Sequence, residues 1–207
     1  MNRVRELVPK LEFSISYTTR APRGAEQNGR EYFFISRQEF EEMIHRDEFL
    51  EHADVFGNYY GTARRFLCKA EEEGYDLLLD IDVQGAAQIK KKLPDAVSIF
   101  IMPPNRSELE QRLRKRSQDA ESVIQRRLEA AAREIENYSN YGYTLVNDRL
   151  DESVDALKSI LLFERQKRVG QRTDALMAKA ESYRLDRIRE RLQPILQSFQ
   201  ETAAGGQ

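Results

Sequence analysis

The sequence has 207 residues, which is long enough for one α/β domain with an inserted lobe and short for two unrelated domains. Hydrophobic residues make up 40% and charged residues 33% of the chain, so the composition excludes a membrane span and indicates a soluble protein with a heavily charged, largely helical surface. The start of the chain has no apolar stretch of the length that export needs, and the single cysteine cannot form an internal disulfide, so we expect a cytoplasmic location.

Alternation and turn residues predict the elements of the first third of the chain. Phe13–Tyr17 alternates with period two and predicts a strand that opens into a constrained loop. Ser36, followed three residues later by Glu39, is typical of a capping box and predicts an amphipathic helix. The glycine-bracketed segment Gly57–Gly61 predicts a turn with two aromatic residues, and Thr62–Glu73 predicts a further helix.

Three short apolar runs then alternate with helical patterns. The runs are 77–82, 98–102 and 143–147, and the intervening helices are predicted at about 85–93, 105–116 and 122–138. Apolar runs without alternation are typical of strands covered on both faces, so this order predicts βαβ units and a parallel sheet. Helices continue after Asp151, broken by Gly170 and Pro194, and a disordered tail is predicted at 202–207.

A group of arginines and tyrosines in the first third could bind a phosphate. It consists of Arg20, Arg23, Tyr32 and Tyr60. Guanidinium groups bind phosphate oxygens in pairs, and phenols donate hydrogen bonds without adding charge. The alternative is that the two arginines pair with Glu26 or Glu31 on the surface.

Glu51, Thr62 and Asp82 could read a base. Carboxylates in a dry pocket select a base that offers hydrogen-bond donors, as guanine does, because a base without them leaves a charged acceptor unpaired. The alternative is that Glu51 is a solvated helix residue.

Asp80 and a basic segment suggest chemistry on phosphates. Asp80 closes an apolar run, the position of the acid that holds Mg²⁺ in phosphoryl-transfer enzymes. Arg116 and Arg127 lie in the basic segment 112–127, which could close over a transferring phosphoryl group. The alternative is a pair of helices with paired surface charges.

Several of these segments, in this order, resemble the guanylate kinase family from about Val4 to Arg165. They are Ser16–Arg23, Glu26, Asn28-Gly29, Tyr32–Phe34, Gly57–Gly61 and Asp80–Gly85. The resemblance implies a kinase of the P-loop nucleoside monophosphate type, which transfers the γ-phosphoryl of ATP to GMP with Mg²⁺. It also implies an α/β fold, a parallel sheet flanked by helices, with an inserted GMP-binding lobe at about 14–75 and a helical lid at about 110–130. We expect residues 1–165 to form this domain and residues 166–207 to form a helical extension with the disordered tail.

The resemblance also implies a role for each matching residue. Ser16, Arg20, Arg23, Tyr32 and Tyr60 would hold the GMP phosphate, with Glu26 nearby, and Glu51, Thr62 and Asp82 would read the guanine. Arg116 and Arg127 would reach the ATP phosphates, Asn147 would lie near the adenine and Asp80 would hold the metal. Arg20, Arg116 and Arg127 would be the catalytic residues. The lid sequence has Ser117 where the family has glycine.

One family element is missing from the 207 residues. No sequence of the form G-x-x-x-x-G-K-[ST] is present, and in the family this loop and the central strand before it cradle the ATP phosphates. We therefore expect a truncated record with impaired ATP binding. The alternative is a non-catalytic guanylate-kinase-like module that binds GMP or a phosphorylated partner. Nucleic acid and membrane partners are not expected, since the basic C-terminal helices carry few aromatic residues.

Overall fold

The computed structural model describes residues 2–116 and 120–200, and these divide into two compact units, Val4–Ala96 and the residues from Val97 onward. The lid residues 117–119, the side chain of Arg116 and the predicted tail at 202–207 lie outside the described part. Within it, no helix is both long and apolar enough to cross a membrane.

The first unit contains a parallel strand pair and a four-stranded sheet. Its strands are β1 (Leu11–Phe13), β2 (Tyr17–Thr18), β3 (Phe33–Phe34), β4 (Phe49–Val55), β5 (Asn58–Ala63) and β6 (Asp76–Leu78). Strands β1 and β6 are parallel, with Leu11 opposite Asp76, and the second sheet has the order β3-β2-β5-β4. In that sheet β2 and β3 are parallel, and the other pairs are antiparallel.

The helices of the first part of the chain are α1 (Asn2–Leu7), α2 (Arg37–His45), α3 (Arg64–Glu73) and α4 (Val83–Lys92). The predicted capping box of α2 is confirmed, since Ser36 Oγ accepts from the Glu39 N–H at 3.1 Å and Glu39 Oε2 accepts from the Ser36 N–H at 2.7 Å. The core of the four-stranded sheet forms where α2 packs against it. Its buried residues are Tyr17, Phe40, Met43, Phe49 and Ala63.

The second unit pairs two parallel strands, β7 (Ile99–Met102) and β8 (Tyr143–Val146), with Ile99 opposite Tyr143. Its helices are α5 (Arg106–Arg116), α6 (Glu121–Ile135), α7 (Leu150–Arg168), α8 (Asp174–Glu181) and α9 (Leu185–Gln200), with a 3₁₀ turn at Glu136–Asn140. Buried residues from β7, α6 and α9 form one core. They are Met102, Ile135, Ile188, Leu192, Ile195 and Phe199.

The predicted α/β class, with parallel strands and accompanying helices, is confirmed, but four local predictions were wrong. The alternating run Phe13–Tyr17 is not one strand, because β1 ends at Phe13 in one sheet and β2 begins at Tyr17 in another. Buried and exposed side chains can alternate from one strand into the next, because the chain is extended in both strands. The run 77–82 is a strand only to Leu78. Pro194 lies inside α9 and does not end it.

The fourth error concerns Gly57–Gly61, which is mostly strand. Only Phe56 and Gly57 form the turn, with φ of 53° and 81°, and β5 runs from Asn58 to Ala63 before α3 begins at Arg64. Two consecutive positive φ values match the twist of a tight hairpin, which is why the flanking strands can pair directly.

Candidate functional site

Arg20 lies at the end of β2, held by a carboxylate. Its Nη2 donates to both oxygens of Glu26 at 3.0 Å, and the Arg23 backbone N–H donates to Glu26 Oε2 at 2.7 Å. Only 10% of the Arg20 side chain and 23% of the Glu26 side chain are exposed. The predicted alternative of a pair between Arg20 and Glu26 is therefore realised, but away from the open surface, where it fixes the direction of the guanidinium.

Aromatic rings surround the same guanidinium. Cζ of Arg20 lies 5.3 Å from the ring centroid of Tyr32 and 5.8 Å from that of Phe34. Tyr60 is close enough to Arg20 to raise the pKa of the guanidinium, and its ring meets that of Tyr32 edge to face at 5.9 Å between centroids. We call Arg20, Glu26, Tyr32 and Tyr60 the arginine–tyrosine cluster.

The cluster's pKa values show how closely its members interact. Partial burial acts to lower the pKa of Arg20, but the interactions of the guanidinium with Glu26 and Tyr60 outweigh it and raise the pKa. Burial likewise acts to raise the pKa of Glu26, and the hydrogen bonds it accepts from a backbone N–H and from Arg20 outweigh it and lower the pKa. Both groups are therefore held in their charged forms.

Asp80 belongs to the same electrostatic environment. Burial is the main cause that raises the pKa of Tyr32, and the negative charge of Asp80 contributes in the same direction. Asp80 is exposed and follows β6 by two residues, so it lies beyond the carboxyl end of a parallel strand.

Ser16 and Arg23 lie before and after Arg20 in the chain. Ser16 is half-buried, and its carbonyl accepts a hydrogen bond from the Phe33 N–H at 2.9 Å. Arg23 is exposed, so its position differs from that of Arg20 although both belong to one loop.

Two threonines that the sequence did not single out hold this loop in place. Thr18 Oγ1 donates to the Tyr59 carbonyl at 2.9 Å and accepts from the Arg20 N–H at 3.1 Å. Thr19 Oγ1 accepts from the Tyr59 N–H at 2.9 Å. Adjacent threonines directly before the arginine were the available signal, because hydroxyls at a strand end often bind the neighbouring backbone.

Glu51 lies inside the protein on β4, opposite Thr62 on β5, and only 3% of the residue is exposed. The alternative of a solvated helix residue is therefore wrong. Burial raises the pKa of Glu51, and the charge of Asp82 adds to the effect. The Thr62 hydroxyl is near enough to counter part of this rise, yet among the described residues it completes no hydrogen bond. Its hydrogen-bonding capacity is therefore not fully used.

Asp82 caps α4 and faces the same pocket. Its Oδ1 accepts from the Gly85 N–H at 2.9 Å, and its Oδ2 accepts from Gln84 Nε2 at 3.1 Å. A Cβ added at Gly85 would lie 2.4 Å from Glu51 Oε2, so this carboxylate occupies the space that a side chain would take. We call Glu51, Thr62, Asp82 and Gly85 the acid pocket.

The remaining predicted residues belong to the second unit. Arg127 is half-buried on α6. Asn147 follows β8, where its Oδ1 accepts from Ser153 Oγ at 3.2 Å and its carbonyl accepts from Arg112 Nη1 at 2.8 Å. In this unit a pocket of about 490 Å³ is lined by residues around the start of α5 together with Ser198, and none of the predicted site residues whose side chains the structure describes lines it.

The fold and these contacts define a class: an α/β protein in which an arginine–tyrosine cluster suited to an anion shares one unit with a buried acid pocket. Comparison with known proteins gives the family. The sequence model of guanylate kinase matches residues 4–164.

Two relatives and one solved structure agree with this match. A guanylate kinase from Koribacter versatilis is 54% identical over 208 residues, covering 97% of this chain and 89% of the relative. One from Escherichia coli K12 is 51% identical over 170 residues, covering 81% and 82%. The crystal structure of guanylate kinase from Anaplasma phagocytophilum superposes with a TM-score of 0.68 at 34% identity, covering 93% of this chain and 87% of that one. The protein belongs to the guanylate kinase family.

Proposed function

We propose that the protein transfers the γ-phosphoryl group of ATP to GMP, giving ADP and GDP. The observation that carries this proposal is that a guanidinium cluster and a buried acid pocket occur together in the first unit. Family membership supports the reaction, and these two groups support the acceptor nucleotide.

The arginine–tyrosine cluster would hold the phosphate of GMP. Glu26 occupies one side of the Arg20 guanidinium, and an arginine has five N–H donors, so donors remain for phosphate oxygens. Tyr32 and Tyr60 would donate from their hydroxyls, and Ser16 and Arg23 would contribute from the same loop. With Arg23 included, two guanidinium charges face the single carboxylate of Glu26, so one positive charge remains for a phosphate.

The acid pocket would read the guanine. Guanine offers donors at N1 and N2, and ionised Glu51 and Asp82 are acceptors only. The unused Thr62 hydroxyl is a further polar group for the base. Adenine lacks these donors, so binding it would leave a buried carboxylate without a partner.

Phosphoryl transfer itself needs positioning and charge stabilisation, with no covalent enzyme intermediate. An oxygen of the GMP phosphate would attack the γ-phosphorus, and the bond from that phosphorus to the ADP oxygen would break. Arg20 would orient the attacking phosphate, and Arg116 and Arg127 would stabilise the charge on the transferring group. Asn147 would lie beside the adenine.

Mg²⁺ fits this proposal as a metal held mostly by phosphates. No group of three or more His, Cys, Asp or Glu suited to a metal occurs among the described residues. Magnesium commonly uses one or two carboxylates together with substrate phosphates and water, and exposed Asp80 is suited to that part. When bound, the ion would neutralise charge on the phosphates.

The phosphate role of Arg20 can be tested by calorimetry on the 207-residue chain. We expect Arg20→Met to weaken GMP binding by about 30-fold or more, roughly 2 kcal/mol, because it removes charge-assisted donors and leaves Glu26 uncompensated near the phosphate. Binding is the chosen measurement because the glycine–lysine loop is not among these residues.

Arg64→Met is the matched control, since Arg64 also binds both oxygens of a carboxylate, that of Asp47, at 3.1 and 3.0 Å. Its GMP affinity should equal that of the parent. Equal GMP affinity in the Arg20 and Arg64 variants would remove the proposed phosphate site. Tighter binding of a phosphopeptide than of GMP would favour the non-catalytic module.

A further inference from the structure

Strand β4 is an edge strand whose free side is covered by side chains of α4. It lies at the end of the order β3-β2-β5-β4, so alternate backbone groups have no strand partner in the described part of the chain. Gln84 Nε2 donates to the Asp54 carbonyl at 3.2 Å, and Lys92 Nζ donates to the Leu50 carbonyl at 2.7 Å. Between them, Gln88 bonds to the backbone of His52.

The Gln88 contact is the only one of these three that uses both a donor and an acceptor. Its Nε2 donates to the His52 carbonyl at 2.6 Å, and its Oε1 accepts from the His52 N–H at 3.2 Å. The side-chain amide thus takes the place of a neighbouring strand's peptide group. We call Gln84, Gln88 and Lys92 the edge ladder.

Helix and strand geometry explain the spacing of this ladder. Its members are four residues apart on α4, which is about 6.0 Å along a helix axis. Their partners, Asp54, His52 and Leu50, are two residues apart on β4, which is about 6.8 Å along a strand. The two repeats nearly match, so consecutive side chains on one face of α4 meet consecutive free groups of β4.

Glu51 lies between two of these attachment points. The β4–β5 register shifts between Phe49 and Glu51, so an irregularity directly precedes the acid, and Lys92 binds the carbonyl of Leu50 at that irregularity. Gln88 fixes the residue on the other side, His52. Irregular strand positions redirect side chains, and here the redirected side chain reaches the space over Gly85.

We propose that Gln88 is a positioning residue for guanine recognition: by pinning His52 to α4 it holds the Glu51 carboxylate in the acid pocket. This inference rests on the proposed function, in which Glu51 reads the base. Gln88 itself has its amide committed to the backbone of β4, so it acts through Glu51 and not by touching the nucleotide.

The test compares Gln88→Met with the parent and with Gln38→Met. Methionine keeps the length of the side chain and removes both hydrogen bonds. Gln38 lies on α2, where its Nε2 bonds to Glu42 at 3.0 Å on the exposed surface, so the same substitution there is a control. We expect Gln88→Met to weaken GMP binding about tenfold and Gln38→Met to leave it unchanged.

A double-mutant cycle with Glu51→Gln separates positioning from general damage. If Gln88 acts through Glu51, adding Gln88→Met to Glu51→Gln should cause little further loss of GMP affinity. The same tenfold loss in both backgrounds would overturn the proposal, and so would unchanged affinity in the single variant. If Gln88→Met does not fold, Gln88→Asn retains the amide but draws it back by one methylene, and the same criteria apply.

A carboxyl NMR titration of Glu51 keeps this result distinct from the proposed function. Burial raises the Glu51 pKa, and loosening the edge of β4 should lower it towards its ordinary value in Gln88→Met. Absence of GMP binding by the parent would refute the proposed function. An unchanged Glu51 pKa in Gln88→Met would refute the positioning role whether or not GMP binds.

Discussion

Burial of Glu51 disfavours its charged form in the folded protein, whereas the proposed recognition of guanine uses that charged form. Its carboxyl group is buried beside Asp82, and both burial and that charge oppose ionisation, which raises its pKa. A base with N–H donors would supply what the pocket lacks in the free protein. A buried acid with a raised pKa beside a second carboxylate is typical of a functional site.

Glu51→Gln should therefore stabilise the free protein at high pH. A raised carboxyl pKa means that the folded state favours the protonated form, so the parent's stability is fully present below the ordinary pKa and declines as pH rises through the raised one. The amide of Glu51→Gln does not ionise, so the variant does not lose this stability as the pH rises. We expect the difference in melting temperature, variant minus parent, to rise by a few degrees between acidic and slightly alkaline pH in thermal unfolding.

Glu42→Gln on α2 is the control for this titration, since about half of the Glu42 side chain is exposed. Its melting temperature should follow that of the parent at every pH. A Glu51→Gln variant that is no more stable than the parent at alkaline pH would show that Glu51 ionises there without cost.

At the scale of elements, α4 carries the acid pocket because its first turn has no side chain at Gly85. This glycine does not have a left-handed φ, so alanine suits the backbone and would favour the helix. The added Cβ would lie 2.4 Å from Glu51 Oε2 and 3.1 Å from its Cδ. Glu51 would have to move, and its burial leaves little room.

Gly85→Ala should thus retain the fold and lose GMP affinity by about tenfold or more, measured by calorimetry beside thermal unfolding. Gly142→Ala is the control, because a Cβ there meets no atom closer than 3.4 Å. Full GMP affinity in Gly85→Ala would mean that the position of Glu51 is not important for the nucleotide.

The helices and strands that were predicted correctly are marked by patterns of neighbouring residues in the sequence. Helix α2 begins at a capping box, and its Ser36 and Glu39 identify it without knowledge of the rest of the fold. The apolar runs that became β7 and β8 were recognisable in the same way, by composition and length.

Strand β4 was not predicted, because its polar residues interrupt the pattern of apolar residues that identifies a strand. The sequence Phe49–Val55 contains Glu51, His52 and Asp54, which are not typical of a half-buried strand. Two of them have a structural reason: Glu51 enters the acid pocket, and Asp54 Oδ1 accepts from the Gly57 N–H of the turn at 2.7 Å. In α9 the prediction gave Pro194 too much weight, because the buried Leu192, Ile195 and Phe199 keep the spacing of one helix face across the proline.

The grouping of the arginine and tyrosine residues could be predicted more completely than the strands on which they lie. The sequence allowed Arg20 to be grouped with Tyr32 and Tyr60, and in the structure Arg20 lies over the ring of Tyr32, which contacts the ring of Tyr60. What it could not supply were the supporting contacts, such as Thr18 on the Arg20 backbone and Gln88 on β4. These depend on which strands become neighbours, and that is decided by the whole fold.

At the scale of the whole molecule, the family match and the compact units have different boundaries. The match with the family model ends at 164, whereas α9, beyond that point, buries Leu192 and Phe199 in one core with Met102 of β7. Thr144 of β8 also donates its backbone N–H to the Tyr183 carbonyl at 2.9 Å, just before α9. The C-terminal helices therefore complete the core of the second unit.

The first unit contains all the groups proposed to bind GMP, namely the arginine–tyrosine cluster and the acid pocket, within Val4–Ala96. The acceptor specificity of the molecule is thus proposed to reside in this one unit. The groups proposed for ATP, Arg127 and Asn147 among them, belong to the other unit.

The most direct test of this account is the ratio of the dissociation constants for AMP and GMP, measured by calorimetry on the 207-residue chain. Discrimination by buried acceptors predicts GMP binding at least about 100-fold tighter than AMP binding, with most of that preference lost in Glu51→Gln. Equal affinities for the two nucleotides, or an undiminished preference in Glu51→Gln, would contradict it.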